Sequence, residues 1–321
     1  MERRRIYSYP GYWSSAASTC TRNNAFSSQA SRIDLAFSAL YFLVFCGLSS
    51  IAAIRFFSSK RRGTAFRRWF LFGVSIYFMI IELMISIVIS TLLECGVIYS
   101  VTYNLTSISV DWLESLGYYA LYAVILLPIC RRLHQQAKNA RTILVAHSGC
   151  LAVLGMLLIC ALAIETAIMD GVYDEQNYTF YRLVKPERDL RTACYVFEVI
   201  AMLMAAASMI TAMMQAPHLR KGTLGVSLAV LIISCLGLSV TRFAGYVDSA
   251  YRTIWTQSDA DYVNRSVEAR IFIVFFFYSC AFLSALLVAG SRQLADDSYK
   301  GTRAGSMGLV YASGEHPMRQ A

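Results

Sequence analysis

Apolar runs recur seven times between about residue 34 and residue 290, and short polar or charged segments separate them. A hydrocarbon core about 30 Å thick takes about 20 residues of helix to cross, and a backbone in lipid must satisfy its own polar groups. The pattern therefore predicts an all-α, polytopic membrane protein: a bundle of seven transmembrane helices over about 34–56, 69–93, 110–130, 142–168, 190–214, 224–247 and 269–290. Residues 1–33 then form an N-terminal tail on the outer side, 34–290 the seven-helix domain, and 291–321 a cytoplasmic tail. That last segment mixes Gly, Ser and charged residues without an apolar period and is expected to be disordered. No apolar core precedes Arg32, so no cleavable signal peptide is expected and the first span itself directs insertion.

Two signals orient the bundle. The connections after spans one, three and five are short and rich in Lys and Arg, which marks them as cytoplasmic. The other connections hold Asn104-Leu105-Thr106, Asn177-Tyr178-Thr179 and Asn264-Arg265-Ser266, three N-glycosylation sequons in loops of the opposite face. Both place the N-terminus outside and the C-terminus in the cytoplasm. Arg3, Arg4, Arg5, Arg22 and Arg32 in the N-terminal tail oppose that orientation, but Arg55, Lys60, Arg61, Arg62, Arg67 and Arg68 press more strongly on the first cytoplasmic connection. Trp69 and Trp112 fall at span boundaries, as interfacial anchors do.

Composition agrees with the pattern. Of 321 residues, 57% are hydrophobic and 15% charged, with a mean hydropathy of +0.49, whereas about a quarter of a soluble domain is charged. The net charge of +9 sits largely at span edges, so its expected partner is a bilayer with anionic inner-leaflet lipids, met by Lys60, Arg61, Arg62, Arg67 and Arg68, and not nucleic acid. The location that follows is a multi-pass protein of the plasma membrane or of an endomembrane of the secretory pathway. Of nine cysteines, Cys46, Cys130, Cys150, Cys160, Cys235 and Cys280 fall within or at the ends of spans and read as buried thiols. Cys20, Cys95 and Cys194 lie on the oxidising side, where Cys95 is expected to pair with Cys20 or Cys194.

Candidate chemistry lies inside the membrane, where an ionisable side chain is costly and usually faces the bundle interior. Glu82, Glu114, Glu198 and Arg242 sit well within spans, the last three within roughly 5 to 13 Å of the outer surface by helical rise. Glu165 falls in the last turn of span four, where water is expected to reach it. Helical spacing puts Ser75, Glu82, Ser86 and Ser90 near one face of span two, and Asp111, Glu114, Tyr118 and Tyr122 on one face of span three. Arg191 and Tyr195 share a side with Glu198, and Ser239, Gly245 and Tyr246 surround Arg242. These faces are expected to line a polar, outward-facing cavity between spans two, three, five and six. The competing structural reading pairs Arg242 with Glu198 or Glu82 simply to hold three helices in register.

The four histidines, His134, His147, His218 and His316, show no metal-ligand spacing, and His134 and His218 are expected in loops. No metal or cofactor is expected, and the absence of any lysine within a span excludes a retinal Schiff base. Pro128 is the only proline expected inside a span, where a kink and a helix end are both open. In number of spans and orientation the topology resembles that of G-protein-coupled receptors. The third span ends in Cys130-Arg131-Arg132 in place of D-R-Y, and the seventh has no N-P-x-x-Y. That likeness goes no further, and the reading the intramembrane charges favour is receptor-like binding of a small, cationic or amphiphilic ligand in the expected cavity, with Glu82, Glu114 and Glu198 as acidic contacts beside Tyr118 and Tyr122, and Arg242 as their organiser. The alternatives are a transporter of a lipid or small molecule, and a membrane-embedded isomerase or cyclase using Glu82 or Glu114 as a protonated general acid.

Overall fold

The structure, a computed structural model, describes residues 26, 29–58, 64–98, 100–135, 140–171, 178–216, 223–251 and 257–291. Every secondary-structure element among them is helical. Seven helical stretches are long and apolar enough to cross a membrane: Ser31–Phe57, Trp69–Glu94, Thr106–Gln135, Thr142–Met169, Leu183–Gln215, Thr223–Tyr251 and Ser266–Gly290. Consecutive spans pack side by side and the first returns against the seventh, which closes the bundle. Short connections make neighbours antiparallel. The connections after spans one, three and five thus gather at one end, called here the basic end, and the others at the opposite end.

Span three is the axis. In its most apolar window 61% of the residues are buried, against 28% in span one. The outward faces of the remaining spans carry large apolar side chains such as Leu43, Ile54, Val145, Met156, Val226 and Ile233. In water such surface would be a severe liability, whereas hydrocarbon accepts it at no cost. The interior at the centre is aromatic: Phe45 meets Phe275 and Tyr278 edge to face, Phe72 meets Phe282, and Tyr118 meets Tyr278 with ring centroids 5.5 Å apart. A polar seam runs through this apolar centre. The hydroxyl of Ser75 donates to the Gly117 carbonyl at 2.8 Å and lies 2.8 Å from the Tyr278 hydroxyl, joining spans two, three and seven.

Several boundaries differ from those the sequence pattern suggests. Span three does not stop at Cys130. It passes through a π-helical turn, Ile125–Ile129, containing Pro128, and continues as α-helix over Cys130–Gln135. Pro128 lacks an N–H, and a wider turn relieves the clash of its ring with the preceding carbonyls. Here the Cys130 N–H donates to Ile125 O, five residues back. His134 is therefore not in a loop. It is buried, and its Nε2 lies 3.0 Å from the Ser208 carbonyl and 2.8 Å from the Ser208 hydroxyl of span five. Span five begins near Leu183, in a helix that starts at Tyr178 and contains Pro186, so Pro128 is not the only proline within a span. Asn104 and Asn264 also lie on helices, Ser100–Val124 and Gln257–Gly290, and Asn177 lies outside the described residues.

Close helix approach depends on Gly237, where a Cβ would come within 2.6–2.8 Å of ring carbons of Phe277 in span seven. Gly47 in span one has nothing within 4 Å of such an atom. Gly237→Ala should therefore lower stability by about 1–3 kcal/mol through overpacking, while Gly47→Ala should leave it unchanged or slightly raised. Thermal melting of the two variants in detergent measures the contrast, and equal melting temperatures would refute the packing assignment.

Candidate functional site

The organising side chain is Arg242, on span six in the half of the bundle away from the basic end. Its Nη1 donates to both oxygens of the Glu198 carboxylate on span five, at 2.9 and 2.8 Å. The guanidinium lies over the ring of Tyr118, 3.9 Å from its centroid, and faces Tyr195 at 5.2 Å. Two further hydroxyls extend the network. Tyr122 donates to Glu198 Oε1, and Tyr118 donates to Glu114 Oε1 at 3.3 Å. Glu114, Tyr118 and Tyr122 are four residues apart on span three, a spacing that stacks them along one helix face. That face, with Arg242 and Glu198, forms one continuous chain across spans three, five and six: Glu114, Tyr118, Arg242, Glu198, Tyr122. The cation over an aromatic face gains about 2 kcal/mol or more when desolvated, and a hydrogen-bonded counter-charge offsets much of the cost of burying a guanidinium.

Above this chain opens a cavity of about 140 Å3, ample for a small polar molecule when one water's share of the liquid is about 30 Å3. Spans two, three, five and six contribute to it, as the sequence suggests, and so does span seven. Its wall is chemically divided. Asp111 and Glu114 come from span three, Arg191, Arg242 and Arg270 from spans five, six and seven, and Ser86, Ser90, Ser107 and Ser115 supply hydroxyls. An apolar side includes Val267, Ile271, Val274 and Phe275 of span seven. A narrower fissure of about 30 Å3, between spans three, four and five, shares Ser115, Arg191, Tyr195 and Arg242 with it.

A second charge cluster supports the cavity from the side of span four. Arg191 pairs with Glu165, and its Nε lies 2.7 Å from Glu187 Oε1, one turn back on the same helix. Glu165 is only 1% exposed, so it is a buried partner of Arg191 and not a residue open to water at a helix end. Glu187 had no place among the candidates because the helix of span five was expected to begin after it.

The candidate residues thus divide. Glu114 and Arg242 line the cavity, Glu198, Tyr118 and Tyr122 lie in the network beneath it, and Glu82 is wholly buried in span two without reaching the cavity wall. Arg270 was missed altogether. Its one signal in sequence was a charge a single residue inside the expected start of span seven. Cys95 is disulfide-bonded, but Cys194 is a buried free thiol on span five and does not supply the other half. Cys20 lies outside the described residues. Cys46, Cys130, Cys150, Cys160, Cys235 and Cys280 are free thiols, with Cys160 exposed on the outer surface and not buried. Lys60, Arg61 and Arg62 also fall outside the described residues, and Arg67 and Arg68 lie on the helix Thr64–Glu94. Comparison of the chain with family models, curated proteins and solved structures found no match in any of the three.

The pairing of Arg242 with Glu198 has a direct thermodynamic consequence. Arg242→Met and Glu198→Gln should each cost about 3–5 kcal/mol, because each leaves a buried charge without its counter-charge. The double variant should be less destabilised than the two losses summed, a coupling that a double-mutant cycle of thermal stability in detergent reads directly. Additive losses would show that the two residues act independently.

Proposed function

We propose that this protein is a receptor-like, multi-pass membrane protein that binds a small cationic or amphiphilic ligand in the cavity between spans two, three, five, six and seven. The observation that carries this reading is Glu114. Among the described residues its carboxylate takes one hydrogen bond, from Tyr118, and forms no ion pair, although it lines a cavity that also holds three arginines. Arg242 and Arg191, by contrast, are each held by glutamates. An acid left without a counter-ion on a partly apolar wall suits the cationic group of a ligand. In this assignment Glu198 and Arg242 organise the floor, with Tyr118 and Tyr122 tying them to Glu114.

The receptor-like part of the reading rests on span three, which joins the two ends of the bundle. From Glu114 it runs through the π-helical turn to Arg132 and His134 near the basic end. There Arg132 Nη1 donates to the Ala289 carbonyl of span seven at 3.3 Å, and His134 bonds to Ser208 of span five. Seating a cation on Glu114 would bias the position of span three, and the π-helical turn at Pro128 is a break in its regular α-helical bonding at which it can adjust. In the orientation expected from the basic connections and the sequons, the cavity opens outside and these ties face the cytoplasm.

Choline, a compact quaternary ammonium, is a suitable probe. It should raise the melting temperature of the purified protein, with Glu114→Gln weakening its binding by about tenfold, the loss of roughly one charge-assisted contact. Choline binding that is indifferent to Glu114→Gln would sink the assignment of the site. An epitope at the N-terminus should be accessible on intact cells, and one at the C-terminus only after permeabilisation. The reverse pattern would place the cavity on the cytoplasmic side.

A further inference from the structure

Resting on the reading of the cavity as a cation site, we infer that its ligand is a single-chain amphiphile whose unbranched hydrocarbon chain lies in the fissure between spans three, four and five. The fissure meets the cavity at Ser115, Arg191, Tyr195 and Arg242. A molecule seated by its cation on Glu114, the residue before Ser115, therefore has a continuous path into it. Both guanidiniums at that junction are held by glutamates.

The shape and the chemistry of the fissure both suit a chain. Its wall on span four is apolar, formed by Leu154, Leu158, Ala161 and Leu162 from one face of that helix. From Leu154 to Leu162 the helical rise gives a length of about 12 Å. The free volume over that length is only about 30 Å3, so the space is one chain wide. The opposite wall carries Tyr118, Tyr119 and Tyr122 of span three, and their hydroxyls are given to other partners. Tyr118 donates to Glu114, Tyr122 to Glu198, and Tyr119 to the Leu151 carbonyl at 3.2 Å. Gly155 leaves room for that last contact, since a Cβ there would come within 2.8 Å of the Tyr119 hydroxyl. The Glu198 carboxylate is taken in turn by Arg242 and Tyr122. A polar group entering between such walls gives up water for few new bonds, whereas a hydrocarbon chain gains by leaving water. Direction agrees as well. Leu162 lies toward the end of span four at which the cavity opens, and Leu154 lies near the middle of the span. A chain that follows the fissure thus runs from the end of the bundle toward its centre, as a lipid tail does when its headgroup sits at the membrane edge.

Choline, hexyltrimethylammonium and the neohexyl isomer of the latter share the trimethylammonium head, and the two isomers carry the same six carbons in a straight and in a branched chain. They are titrated by calorimetry into the full-length protein in nanodiscs, with empty nanodiscs as reference. The straight-chain probe should bind at least about tenfold more tightly than choline, since each methylene buried from water is worth about fourfold. It should exceed its branched isomer by at least about fivefold, because a branch overfills a space one chain wide. Partitioning into the bilayer, being similar for isomers, does not imitate that difference. Ala161→Phe fills the fissure, and should remove both margins while leaving choline affinity within about twofold of the parent. The isomer comparison on the parent decides the matter by itself if that variant fails to fold. Glu114→Gln should weaken all three probes. Equal affinity of the two isomers, or margins that survive in Ala161→Phe, would overturn the inference and leave the cation site standing. Failure of choline and hexyltrimethylammonium alike to bind the parent at millimolar concentration would remove the cation site, and the chain with it.

Discussion

A guanidinium packed among aromatic rings inside a bundle of apolar helices meets little water, so most of its counter-charge must be supplied by the protein. Arg242 obtains them from two oxygens of Glu198 and from the faces of Tyr118 and Tyr195. The consequence reaches three helices. Spans five and six must bring Glu198 and Arg242 into contact, and span three must turn the face bearing Tyr118 and Tyr122 toward them. Those requirements fix the rotation of all three helices about their axes. Once that rotation is fixed, Glu114, one turn from Tyr118, cannot avoid the space above the pair.

The rest of the bundle is arranged around this constraint with little chemistry of its own. The aromatic cluster of spans one, two and seven fills the centre by shape, and Ser75 with Tyr278 and the Gly117 carbonyl adds one polar tie across it. Arg191 repeats the logic of Arg242 one level nearer the end of the bundle, with Glu165 and Glu187 as its acids. Two largely buried arginines are each satisfied by carboxylates from neighbouring turns or helices, and Glu114 of span three is not among those carboxylates. Paired charges and a cavity-lining carboxylate, that of Glu114, therefore coexist within a few turns, and they are separated by partner and not by depth.

Much of this was legible along the chain. Seven apolar stretches separated by polar connections could only be helices, because each must close its own hydrogen bonds, and each of the seven helical stretches covers the stretch the pattern assigns to it. Helix periodicity also put Glu114, Tyr118 and Tyr122 on one face, a property of a single element that needs no tertiary information. Boundaries were read less well. Span five was shortened because Lys185, Pro186, Glu187 and Arg188 look like a loop, yet Glu187 is buried there against Arg191, and a charge pair removes the penalty that the composition suggests. Span three was cut at Pro128 for a similar reason, and a π-helical turn accommodates that proline without ending the helix.

What the sequence by itself determined is thus the element type, the number of helices and the face each acid presents, all consequences of lipid as solvent and of the 3.6-residue turn. Which acid meets which arginine was decided only when the helices packed. Glu82, Glu114 and Glu198 look alike in the sequence as single acids within apolar spans, but Glu198 joins Arg242, Glu82 is buried away from the cavity wall, and Glu114 faces the opening. The place of Arg270 was decided the same way, since its anchor is a carbonyl of another helix and its room depends on a glycine 25 residues earlier. Charge pairing is a relation between distant positions, and the hydrophobic period within one helix carries no record of it.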